Sequence, residues 1–191
     1  MTDAGHVLDL SVERQDEYAR FLPLVKWLLA IPHFVAVAFV AIGAAFVTIF
    51  AFFAVLLTGR YPRGAWNYML GLHRWLTRLN AYVLLLSDRY PPFSLGEEPD
   101  FPARVELAYP ERMERWRPLV AWLLIFPYLL VGSVLNSLAA FCVVFAFFAI
   151  LFTKNFPEGL VRFVVGAIRW NRRAQAYGHF VATKYPPFSL S

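Results

Sequence analysis

The run from Phe34 to Thr58 contains no Asp, Glu, Lys or Arg, and neither does the run from Leu119 to Thr153. An uncharged stretch of this length belongs in a large protein core or in lipid. The rest of the composition decides between them. Charged residues make up 16% of the chain, against roughly 25% in soluble domains. Hydrophobic residues reach 59% and aromatics 18%. This balance reads as an integral membrane protein. The net charge of +5 is carried mostly by Arg, which suits an anionic lipid surface better than nucleic acid in so apolar a chain.

The chain is one unit written twice. Shifted by 95 residues, it overlays itself without a gap from Pro23 to Leu95. Pro23 meets Pro118, Trp27 meets Trp122, and Pro32 meets Pro127. Gly71 meets Gly166, Arg74-Trp75 meets Arg169-Trp170, and Arg78 meets Arg173. Tyr90-Pro-Pro-Phe-Ser-Leu95 recurs letter for letter as Tyr185-Pro-Pro-Phe-Ser-Leu190. So many matches at one offset indicate duplication. The expected units are residues 1–95 and 102–191, joined by an acidic linker at 96–101.

Within the first unit, an Ile-Pro-His step at 31–33 precedes the apolar run. Thr-Gly-Arg-Tyr-Pro-Arg-Gly follows at 58–64, then Arg74-Trp75 and the closing Tyr-Pro-Pro-Phe-Ser-Leu. This order resembles the bacterial membrane family called domain of unknown function 4389, in two copies covering nearly the whole chain. The second copy departs from the pattern at Phe-Pro-Tyr (126–128) and Thr-Lys-Asn-Phe-Pro-Glu-Gly (153–159). The resemblance implies an integral membrane protein and brings no activity, cofactor or catalytic residue with it.

Each unit opens on a short alternating stretch, Leu8–Val12 and Val105–Tyr109, which predicts a strand; the closing Phe-Ser-Leu segments are the expected partners. The apolar run follows, with Trp27 and Trp122 placed as interfacial anchors and Pro32 and Pro127 as kinks. From Leu24 to Leu57 there are about 34 residues, more than the roughly 20 of one span and fewer than the about 40 of two. Small and polar residues lie at the midpoints: Ala41-Ile-Gly-Ala-Ala45, and Gly132-Ser133 with Asn136-Ser137. They favour a tight helical hairpin; the alternative is one kinked span. Equivalent charges in the two copies should face the same side of the membrane, which requires an even number of crossings per unit.

The segment after each run is amphipathic at helical spacing. Arg63, Asn67, His73, Arg74, Thr77 and Arg78 oppose Tyr68, Leu72, Trp75, Leu76, Leu79 and Val83. In the second copy Arg162, Arg169, Arg172, Arg173 and Gln175 oppose Val161, Val165, Ile168, Trp170 and Tyr177. Arg on one flank and Trp and Leu on the other predict a helix lying in the membrane interface. With the kinked-span alternative, this helix returns as a second crossing. The shared Arg74, Arg78, Arg169 and Arg173 are the candidate sites for an anionic lipid headgroup or a partner's carboxylates. The closing Tyr90, Pro91, Pro92, Phe93 and Tyr185, Pro186, Pro187, Phe188 must be extended, because proline lacks the N–H and fixes φ. They read as a lid on the hairpin base or as a docking peptide.

Catalytic chemistry finds no foothold. His6, His33, His73 and His179 show no metal-ligand spacing, Cys142 is single, and no phosphate loop, nucleophile elbow or zincin motif is present. The first twenty residues are acidic and do not read as a signal peptide. The expectation is a mostly α-helical, multi-pass inner-membrane protein with cytoplasmic termini. It is non-enzymatic, without metal or cofactor, and does not bind nucleic acid. Its expected role is a lipid-interacting scaffold or assembly factor, able to oligomerise or take a protein partner. The competing expectation is a small transporter or channel subunit with an Arg-lined path.

Overall fold

The structure is a computed structural model and describes residues 7–190. Its order is β1 (Asp9–Val12), a 3-10 turn at Leu22–Leu24, α1 (Lys26–Leu29), α2 (Ile31–Thr58), α3 (Arg63–Val83), β2 (Ala103–Glu106), α4 (Arg117–Leu124), α5 (Phe126–Thr153) and α6 (Glu158–Gly178). The helical break before α2 falls at Ala30 and that before α5 at Ile125. Pro32 and Pro127 occupy the first turns of the new helices, where the missing N–H costs nothing.

Beyond these breaks each apolar run continues as one helix of 28 residues, unbroken through its midpoint. The hairpin expected from its midpoint is therefore not formed. The small residues serve close packing instead. A Cβ on Gly43 would lie 2.5 Å from the Tyr68 hydroxyl, which donates to the Val40 carbonyl at 2.8 Å. In the second copy a different pair, Gly132 and Asn171, makes a close approach of the same kind. Asn171 Oδ1 would be 2.8 Å from a Cβ on Gly132, and its Nδ2 donates to Asn136 Oδ1 at 2.9 Å. Ser133 and Ser137 turn their hydroxyls back onto helix carbonyls. Both long helices end on a left-handed residue, Gly59 (φ 67°) and Lys154 (φ 57°). Pro62 and Pro157 then cap α3 and α6 from the N-terminal side.

α3 runs back antiparallel to α2: Tyr68 meets Val40, and Trp75 meets His33 near the start of α2. α6 repeats this against α5. The two copies meet through α3 and α6, which are themselves antiparallel. Trp66 near the start of α3 donates to the Val181 carbonyl beyond the end of α6. Tyr18 bridges the opposite ends, donating to the Leu86 carbonyl and packing on Phe156.

The strands pair with each other, not with the closing segments. β1 and β2 are antiparallel, with Leu10 opposite Val105. They are also exchanged: β1, from the first copy, packs on α6, and β2, from the second, packs on α3. The ribbon interlocks two units that the sequence sets out side by side.

Candidate functional site

Within each repeat, one cluster gathers the residues kept at the 95-residue offset. His33 accepts from Trp75 Nε1 at 3.1 Å and stacks on Phe93, centroids 3.8 Å apart and planes 8° from parallel. Tyr90 donates to the Leu29 carbonyl at 3.2 Å. In the second copy Tyr128 replaces the histidine, stacking on Trp170 at 4.7 Å, and Trp170 Nε1 donates to the Tyr128 carbonyl at 3.0 Å. Tyr185 donates to the Leu124 carbonyl at 3.0 Å. Pro91 and Pro186 are buried while Phe93 and Phe188 keep an exposed edge. Both Tyr-Pro-Pro-Phe segments thus fold onto the base of their own repeat, where the aromatic stack clamps the two ends of the unit. The tryptophan retained in both copies is the sequence signal for this cluster, although helical spacing alone places it only on an apolar flank.

The four shared arginines do not form a wet flank. Arg78 is 2% exposed and Arg173 9%. Arg78 donates to the Gly96 carbonyl at 3.0 Å and also to that of Ser94. Arg74 reaches the Val105 carbonyl at 3.5 Å and pairs with Glu97 at 2.5 Å. Arg169 donates to Leu10 O at 2.7 and 3.0 Å and to Leu190 O at 2.9 Å. Arg173 Nε donates to Leu8 O at 3.1 Å. The exchanged strands and closing segments present their carbonyls where a helical wheel anticipates headgroups. A wheel identifies a polar flank but not whether water, lipid or backbone covers it.

Arg74, Arg78 and Arg173 line one open cleft of ≈ 990 Å³ with Arg104, Asp9, Glu97, Glu98 and Glu106. Four cations face four acids there. Among the described residues no group of three or more His, Cys, Asp or Glu converges as metal ligands. His6 lies outside the described residues.

A second polar cluster joins the repeats. His73 Nε2 and His179 Nδ1 lie 3.4 Å apart. Arg172 is buried beside them and donates to Gln175 Oε1 at 2.7 Å. Thr77, one turn along α3 from His73, is fully buried. Burial holds His73 well below the ordinary histidine value, helped by His179 and then Arg172. His179 is lowered by burial and then by Arg172. Burial likewise lowers Arg172 to about 10. Both imidazoles are neutral in the folded chain, whereas unfolded histidine titrates near ~6.5. The stability this confers is present above that value and is lost as pH falls through it toward the depressed folded pKa values. Denaturant midpoints should thus decline from pH 7 to pH 5, and His73→Leu with His179→Leu should flatten that decline.

No curated protein and no solved structure matches the chain. A model of the family described as "Domain of unknown function (DUF4389)" matches residues 23–94 and again residues 115–189. The repeat of apolar helix, amphipathic helix and aromatic closing segment is therefore the family unit, and the chain belongs to the DUF4389 family as two tandem copies.

Proposed function

We propose that the protein is a non-enzymatic scaffold of the bacterial inner membrane, held in lipid by α2 and α5. One observation carries the reading. The two long helices are uncharged, yet only 17% of the most apolar window of each is buried. The core helix of a soluble protein would be mostly buried. Phe39, Phe46, Phe53, Phe141, Phe145 and Phe152 are each more than half exposed, and their transfer out of water is worth about 25 cal/mol per Å². The backbone of both helices satisfies its own hydrogen bonds, as lipid requires.

Attraction to an anionic leaflet is assigned to the exposed cations at the ends of these helices, Arg20, Arg60, Arg89, Arg112, Arg115 and Arg162, at about 1 kcal/mol each near the surface. The four inner arginines are ties between strands and helices. A path between α3 and α6 is disfavoured, because those helices pack directly on each other and the arginine donors meet backbone carbonyls.

The test is flotation with vesicles of phosphatidylethanolamine and phosphatidylglycerol. The wild-type chain should float with the vesicles. Phe46→Glu with Phe141→Glu should shift at least half of it to the soluble fraction. Equal flotation of both would remove lipid contact at these faces.

A further inference from the structure

Granted the lipid contact argued above, the geometry points to an orientation: α2 and α5 lie along one leaflet and do not cross the bilayer. The extended segments decide this. After α3, the chain follows the whole length of the α2–α3 pair without forming a helix. Phe93 stacks on His33 at the start of α2. Ser94 and Gly96 then pass Arg78, and Val105 passes Arg74. Tyr109 stacks under the Arg63 guanidinium at 4.4 Å and beside Trp66. Met113 N finally donates to Gly59 O, 2.9 Å away, at the end of α2. The N-terminal segment does the same along α6, from Leu8 at Arg173 to Tyr18, whose N–H meets Lys154 O at the end of α5.

If α2 crossed the bilayer, these two segments would cross with it. Their side chains include Glu13, Glu97 and Arg104, which are 65%, 72% and 46% exposed. Lipid-exposed irregular backbone does not occur in the hydrocarbon region, and neither do open charges of this kind. Laid flat, the same ribbon sits over α3 and α6 in the headgroup and water layer.

Length and symmetry agree. A 28-residue helix is about 42 Å long, against a hydrocarbon core of about 30 Å. The chain of antiparallel contacts α2–α3–α6–α5 makes α2 and α5 run in opposite directions. A crossing orientation would put Arg60 and Arg162, at the same end of their respective units, on opposite sides. A flat orientation keeps both copies on one side, with no crossings at all, and satisfies the charge equivalence of the repeats.

Val35, Phe46 and Leu57 recur every eleven residues on one line of α2, and are 55%, 69% and 69% exposed. Leu130, Phe141 and Phe152 are their counterparts on α5, at 57%, 65% and 73%. Nitroxides would be placed singly at these six positions in the full chain carrying Cys142→Ser, added to preformed phosphatidylethanolamine–phosphatidylglycerol vesicles. Power saturation with oxygen and a nickel chelate reads their depth. The expected result is one shared depth along each helix, within a few ångströms. A middle position about 16 Å deeper than its neighbours overturns the proposal while leaving lipid contact intact. No oxygen enrichment at any position overturns both. A second readout avoids the apolar face. Arg60→Cys and Arg89→Cys, at opposite ends of α2, should both react with an impermeant maleimide added outside, whereas protection of one of them contradicts the flat orientation.

Discussion

Asp88→Ala is expected to lower the unfolding free energy in mild detergent by about 3–5 kcal/mol. Lys26 is 1% exposed, and its ammonium lies 2.7 Å from Asp88 Oδ1 and donates to Ser87 O at 2.8 Å. Its remaining surroundings include the Tyr82 ring, 5.0 Å away. Removing the carboxylate strands a buried cation and also breaks the exposed bond from the Ala19 N–H to Asp88 Oδ2 at 2.6 Å, where water can take over. Most of the loss should return in the double variant Lys26→Met, Asp88→Ala, since the charge that needed the carboxylate is then gone. The second copy reaches the same end differently. Ala121 stands at the place of Lys26, and Arg117, one turn earlier, donates to the carbonyls of Ala182 and Thr183 while pairing with Glu114. The equivalent Thr183→Ala should cost well under 1 kcal/mol, because the backbone carbonyl is kept. A similar loss from Asp88→Ala and Thr183→Ala, measured by denaturant titration, would show that the ion pair is not what fastens the first unit.

Gly71→Ala is the second large effect. A Cβ there would lie 2.6 Å from Leu95 O and 2.7 Å from Leu95 Cβ. Both are parts of a segment that Arg78 holds on either side, at Ser94 and Gly96. The segment cannot step back without breaking those bonds, so a loss of about 2–3 kcal/mol is expected, at the upper end for overpacking. Gly166→Ala meets Leu190 Cβ at 2.9 Å and Leu190 O at 3.1 Å. The contact is looser, and the cost should be about 1 kcal/mol. The ordering of the two midpoints is the check. If Gly166→Ala proved the more damaging, the Arg78 ties would not be what fixes the closing segment.

The repeat, the apolar helices and the amphipathic helices were legible in the sequence because each leaves a periodic or compositional mark. Three features were not. Gly43 and Gly132 resembled turn residues, since a small residue looks the same whether it bends a chain or admits a neighbour; Tyr68 and Asn171 are the neighbours, from a different helix. The exchange of β1 and β2 involves partners about 95 residues apart, and two alternating stretches so alike carry no sign of which helix each will cover. The inward turn of Arg74, Arg169 and Arg173 follows from that exchange, because the carbonyls of Val105, Leu10 and Leu8 come from the opposite copy, whereas Arg78 is drawn in by Ser94 and Gly96 just beyond its own helix. His33 and Trp75 could have been joined earlier: both lie at positions that the second copy fills with a stacked aromatic pair, Tyr128 and Trp170.

Lipid covering α2 and α5 is the central proposal. Reconstituting the chain with a phospholipid that carries a photoactivatable diazirine on its acyl chain, then mapping adducts by mass spectrometry after illumination, reads this contact residue by residue. Adducts should concentrate between Phe34 and Leu57 and between Leu129 and Phe152, on both helices, and be absent from Arg74, Arg78 and Arg173 in the cleft. Adducts confined to the cleft, or a chain that stays monomeric in water and takes up no label, would contradict it.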